Sequence, residues 1–123
     1  ISLLMLFTIC SCAQSPKSLT VSEESKKAAK EKIEGYRERV LKGESMAVIA
    51  TLYTEDPGSA KTGGLYTNIA PGQFVPEFEA AAQNLQPGGI SEVFETQFGF
   101  HFVQLVARHD DLMDVRHVLV VPK

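Results

Sequence analysis

The stretch Ile90-Ser-Glu-Val-Phe-Glu-Thr-Gln-Phe-Gly-Phe-His101-Phe-Val-Gln-Leu-Val-Ala107 decides the fold. Its aromatic and β-branched residues predict two strands, Ile90–Phe94 and Phe100–Ala107, joined through Thr96-Gln97-Phe98-Gly99. Beyond an acidic link, Asp110–Asp114, a further β-rich run covers Val115–Val121. Upstream the periodicity turns helical. Ser22 is a suitable N-cap, and Glu23 and Glu24 place negative charge in the first turn. Ala29, Ile33, Tyr36 and Val40 then form one apolar stripe, which Gly43 ends. Ser45 caps a second helix carrying Met46, Ile49, Ala50 and Tyr53. Pro76 opens a third, with Phe78, Ala81, Ala82 and Leu85 on its buried side, and Gln86-Pro87-Gly88-Gly89 breaks it. Residues 54–73 are rich in turn signals and read as one long functional loop. Helices first and strands afterwards make an α+β domain.

Composition agrees with this reading. The chain has 123 residues, 44% of them hydrophobic and 22% charged, as in one soluble globular domain. It holds no apolar run of about 18 residues, which argues against a polytopic membrane protein. The net charge of −3 gives no electrostatic reason to bind nucleic acid or an anionic bilayer. The lysines and arginines concentrate in residues 17–44, and the remainder downstream is acidic. Signs alternate along the first helix, which marks a solvated face.

Residues 1–10 are almost wholly apolar and lead into Ser11-Cys12-Ala13-Gln14. That length suits a signal-peptide core and is too short to span a bilayer. Ile9-Cys10-Ser11-Cys12 resembles a bacterial lipobox, so residues 1–12 are expected to be a leader with Cys12 as the lipidated residue. A buried N-terminal strand or a cloning remnant is the competing reading. Residues 13–21 then form a tether and 22–123 the domain. On the lipobox reading the chain is exported, to the periplasm or cell envelope, and touches membrane only through the anchor. Both cysteines lie in the leader, so the domain has no disulfide, thiolate metal site or Cys nucleophile to draw on.

Familiar catalytic motifs are absent. There is no phosphate-binding P-loop, and Gly63-Gly64 alone is a weak signal. Neither a Gly-x-Ser-x-Gly elbow nor a His-Glu-x-x-His motif occurs. His101, His109 and His117 lack helical ligand spacing, so no metal and no cofactor is expected. What stands out is an ordered set: Tyr53-Thr-Glu-Asp-Pro-Gly-Ser-Ala-Lys-Thr-Gly-Gly64, then Pro71-Gly-Gln-Phe-Val-Pro-Glu-Phe-Glu79, then Ile90 to His101. Together with Gly43-Glu-Ser-Met-Ala-Val-Ile-Ala50-Thr-Leu-Tyr53, it closely resembles the parvulin family of peptidyl-prolyl cis–trans isomerases, from about residue 30 to residue 108.

The resemblance implies an FKBP-like antiparallel four-stranded sheet flanked by helices. It also implies a pocket for a proline ring, lined by Phe74 and Phe78 with Tyr66 and Phe98. Each of these aromatics is equally at home in plain core packing. Beneath the pocket His101 and His117 would form a hydrogen-bonded pair supported by Thr96. Asp56 falls where the family carries Cys or Asp near the substrate carbonyl; the alternative is an ordinary turn start. His109 has no such context and is expected to be exposed. The implied partners are proline-containing unfolded or exported polypeptides. A non-catalytic peptide-binding chaperone module of the envelope is the alternative function.

Two departures bear on the site. Parvulins usually follow the Gly pair with Asp-Leu-Gly, whereas Leu65-Tyr66-Thr67 stands here, so Tyr66 takes the place of a pocket leucine. The family also opens on a His-bearing strand. Nothing before residue 30 resembles it, yet Val115-Arg116-His117-Val118-Leu119-Val120 does. Either this C-terminal segment fills the vacant central slot, as in a circular permutation, or it opens a second domain of a tandem. An unfilled slot would leave backbone groups unpaired at about 1–3 kcal/mol each. Direct opposition of His101 and His117 needs a link centred on His109, whereas Asp110–Asp114 centres near residue 112; a bulge absorbs the difference.

Overall fold

The computed structural model describes residues 22–123. The expectations for residues 1–21 (leader, Cys12, tether) lie outside that range. Three helices, α1 (Glu23–Leu41), α2 (Met46–Tyr53) and α3 (Pro76–Gln83), accompany four strands, β1 (Leu65–Ile69), β2 (Phe94–Thr96), β3 (Gly99–His109) and β4 (Leu112–Val120). The strands form one antiparallel sheet in the order β1-β4-β3-β2. The expected α+β, parvulin-like architecture is what the chain adopts. Within it, β4 takes the central place between β1 and β3, so the C-terminal segment fills the slot.

Side chains of β3 and β4 alternate between two buried faces. Phe100, Phe102, Val118 and Val120 meet Ala29 and Ile33 of α1 and Met46, Ile49 and Ala50 of α2. Val103, Leu105, Met113 and Val115 meet Phe78 and Ala82 of α3 together with Ile69. Burial on both sides explains why these strands read as nearly continuous apolar runs rather than alternating ones. The helical stripes place as expected, with Tyr36, Val40 and Tyr53 packed at the margin of the first cluster. The Ser22 and Ser45 hydroxyls accept the Ser25 and Val48 amides, capping α1 and α2.

Four boundaries differ from the sequence reading. Residues 54–73 are not a single loop, because Leu65–Ile69 is an edge strand paired to β4. Its pattern is faint because the register slips between Tyr66 and Ile69, with Asn68 at φ +55°. Ile90–Phe94 is not a strand but contributes one bridge, Ile90 to Gln104, before β2 begins at Phe94. The five-residue acidic link shrinks to a tight turn at Asp110-Asp111, with Asp110 at φ +57°. Finally, α3 stops at Gln83, so Leu85 packs from the loop.

The expected bulge is present, at Val106. Beyond it His101 faces Leu119 and Val103 faces His117. The two histidines are therefore diagonal neighbours on the α3 face rather than direct opposites. That offset still leaves side chains within reach of each other.

Candidate active site

Below α3 and the segment leading into it, the sheet floors a hollow of about 350 Å³. Asp56, Tyr66, Phe74, Phe78, Phe98, His101 and His117, all anticipated, line it. Thr96 sits behind His101, and Phe98, half exposed, stands at the rim. Gln73, Val75 and Leu119 complete the wall and were not anticipated.

Aromatic packing shapes the cavity. Phe78, buried on α3, sets its ring edge-on to both imidazoles, at 6.1 Å from His101 and 5.4 Å from His117. Phe94 stacks on His101 at 5.3 Å. Phe74 lies 4.8 Å from Phe78 and meets Tyr66 edge to face at 5.0 Å. The Phe78 side chain thus serves the core and the hollow at once, so the two readings of it from sequence are not exclusive.

A chain of hydrogen bonds runs beneath these rings. Thr96 Oγ1 is 2.7 Å from His101 Nε2, the two Nδ1 atoms are 3.5 Å apart, and His117 Nε2 is 2.9 Å from Asp56 Oδ2. Asp56 Oδ2 also accepts from Tyr66 (2.7 Å) and Ser59 (2.8 Å), and Oδ1 accepts the Gly58 amide (3.0 Å). Burial alone would raise this carboxyl, but the Tyr66, Ser59, His117 and Gly58 donors outweigh it and bring it down to about 2. Burial, with the Asp56 bond and charge, pushes the Tyr66 phenol up to about 12. Burial also depresses both histidines: His101, further opposed by His117, falls to about 4, and His117 falls despite Asp56.

The protonation pattern follows. At neutral pH Asp56 is ionised and accepts only, so His117 donates from Nε2 and leaves Nδ1 bare. His101 must then donate from Nδ1, which leaves its Nε2 to accept the Thr96 hydroxyl. Thr96 Oγ1 in turn accepts the Phe98 amide at 3.1 Å. Every proton along the chain points toward Asp56. No buried side-chain polar atom among the described residues lacks a partner.

Ser59, wholly buried, is the polar member the sequence reading missed; its hydroxyl touches Asp56 and lies 3.1 Å from His117 Nε2. Its signal was the spacing in Asp56-Pro57-Gly58-Ser59, where a turn brings the fourth side chain back to the first. Gly63-Gly64 joins a 3-10 turn to the edge strand β1. Gly64, at φ +80°, lets the backbone approach β4, and its carbonyl accepts the His117 amide at 2.9 Å. His109 is exposed and bonds Asp114 at 3.1 Å.

An antiparallel sheet between helix layers, with paired imidazoles under an aromatic hollow, defines a parvulin-like domain. A family model described as the rotamase PPIC-type PPIase domain matches residues 10–107, ending before β4. The chain belongs to that family. It is 43% identical over 77 residues to the chaperone SurA of Nitrosococcus oceani, covering 63% of this chain and 18% of that protein. It is 40% identical over 87 residues to the foldase protein PrsA 3 of Bacillus anthracis, covering 71% and 29%. The crystal structure of the peptidylprolyl isomerase PrsA from Bacillus cereus aligns with TM-score 0.60 and 39% identity, over 69% of this chain and 31% of that one. The chain therefore spans less than a third of the length of each of these relatives.

Proposed function

We propose that this chain is a peptidyl-prolyl cis–trans isomerase acting on exported, proline-containing polypeptides. Amide resonance sets a rotational barrier of about 18–20 kcal/mol, which makes uncatalysed Xaa–Pro rotation a matter of tens of seconds or longer. A catalyst must bind the twisted amide better than either planar form. The apolar hollow grips the proline ring and sheds water around the bond. Twisting withdraws charge from the carbonyl oxygen, and an ionised Asp56 nearby disfavours the planar, charge-separated form. The imidazoles stay neutral and hold Asp56 in place. Tyr66, Phe74, Phe78 and Phe98 serve as the substrate-binding group, and Asp56, His101, His117 and Thr96 as the catalytic set.

The observation that carries this reading is the hydrogen-bonded chain from Thr96 to Asp56 directly under an aromatic hollow. Its test is a protease-coupled assay with a proline tetrapeptide. The chain should accelerate isomerisation and His117→Ala should lower the rate. A rate equal to buffer refutes catalysis; proline peptides that still bind would then mark a peptide-holding chaperone module. The leader-like residues 1–12 support export with a lipid on Cys12, and Cys12→Ser should abolish acylation in a bacterial host.

A further inference from the structure

One donor on Asp56 departs from the usual family pattern. Tyr66 stands where a pocket leucine is expected, and leucine has no donor. From edge strand β1 its hydroxyl reaches Asp56 Oδ2 at 2.7 Å, the shortest of the four contacts on that carboxylate. The ring is held on two sides, edge-on to Phe74 at 5.0 Å and tilted over His117 at 5.5 Å. The turn makes room for it: a Cβ on Gly58 would lie 2.7 Å from the Tyr66 hydroxyl oxygen. Gly58 needs no left-handed backbone, so a Cβ there would act by displacing the phenol, and more weakly by crowding Asp56 Oδ1 at 3.3 Å.

With three donors converging on Oδ2, that oxygen has no lone pair left to turn toward another partner. Rotating the carboxylate would break all three bonds together. The direction of every proton from Asp56 to Thr96 depends on a carboxylate oxygen staying on His117 Nε2, where the Ser59 hydroxyl, 3.1 Å away, would otherwise donate. We propose that the Tyr66 hydroxyl is a positioning group, which locks the Asp56 carboxylate and through it fixes the tautomers of His117 and His101. This deepens the isomerase reading and rests on it for its catalytic consequence alone.

The test pairs two perturbations of one contact. Tyr66→Phe keeps the ring and removes the hydroxyl, while Gly58→Ala keeps the hydroxyl and pushes it off Asp56. Nitrogen-15 NMR of the imidazoles distinguishes protonated from bare ring nitrogens. The unaltered chain should show His117 protonated at Nε2 and His101 at Nδ1, each as one tautomer. Both variants should show mixed tautomers, with kcat lowered about tenfold or more, as for one charge-assisted hydrogen bond. Affinity for a proline peptide should stay within about twofold for Tyr66→Phe, because the aromatic wall survives. Tyr66→Leu, the residue expected from the family, should lose tautomer order as well and guards against a fault peculiar to phenylalanine. Single tautomers in all three variants would overturn the proposal, as would an unchanged kcat in an active chain. If the unaltered chain turns over no proline, the isomerase reading fails while the imidazole spectra still decide this one.

Discussion

Acid should weaken this fold well before its carboxylates protonate, because the buried imidazoles are neutral. His101 is 4% exposed and its folded value lies near 4, against 6.5 for an ordinary histidine. Between those values the unfolded chain binds a proton that the folded chain refuses. The stability His101 contributes is therefore complete above 6.5 and declines as pH falls toward 4. Integrating over that window gives a loss of about 2 kcal/mol by pH 5 and about 3 kcal/mol by pH 4. His117 shifts in the same direction and adds to the loss. Asp56, held near 2 against 3.8, takes over only below that range. Urea unfolding followed by circular dichroism at pH 7, 6, 5 and 4 measures the slope, and His101→Gln should flatten it. A stability unchanged between pH 7 and 5, or a His101 ring that titrates near 6.5 in the folded chain, would refute the reasoning.

Three further outcomes are expected. Removing residues 112–123 deletes the strand that pairs with both β1 and β3, so the remainder should show no cooperative unfolding transition in calorimetry. Gly64→Ala combines φ +80° with a Cβ driven into the His117 carbonyl oxygen. It should cost about 1–3 kcal/mol in urea titration and lower isomerisation more than Gly72→Ala, whose Cβ meets open space. Asp56→Asn leaves the shape but can donate to His117 Nε2, reversing the proton order. Its rate in the proline assay should fall at least tenfold, with peptide affinity nearly unchanged.

Much of this architecture was legible in the chain itself. The helical stripes declared themselves because each helix buries one side only, and Ser22, Ser45 and Pro76 mark real starts. The strands β3 and β4 were readable from their apolar runs. Strand β1 was not: five residues at a sheet edge with a bulge, flanked by glycines, carry almost no periodicity. Boundaries around the Asp110-Asp111 turn failed for a related reason, since Asp114 reads as part of an acidic link although it lies within β4. The eight residues expected in the catalytic and substrate-binding groups converge in one place; order and spacing tie seven of them together, and His117 is marked by its own short strand. Ser59 escaped because a buried serine in a turn looks like any surface serine until the turn is seen to close. The hydrogen bond from Tyr66 to Asp56 was equally hidden, joining an irregular segment to a strand not recognised as one.

Strand β4 stitches the sheet together and carries half of the imidazole pair. Take it away and β1 parts from β3, while Asp56 and His101 lose the ring that joins them. Leu112–Val120 is keystone and cargo at once, closing the frame and delivering His117 into the hollow. A slip of one residue in its register would turn His117 to the opposite face and empty the hollow of its second imidazole.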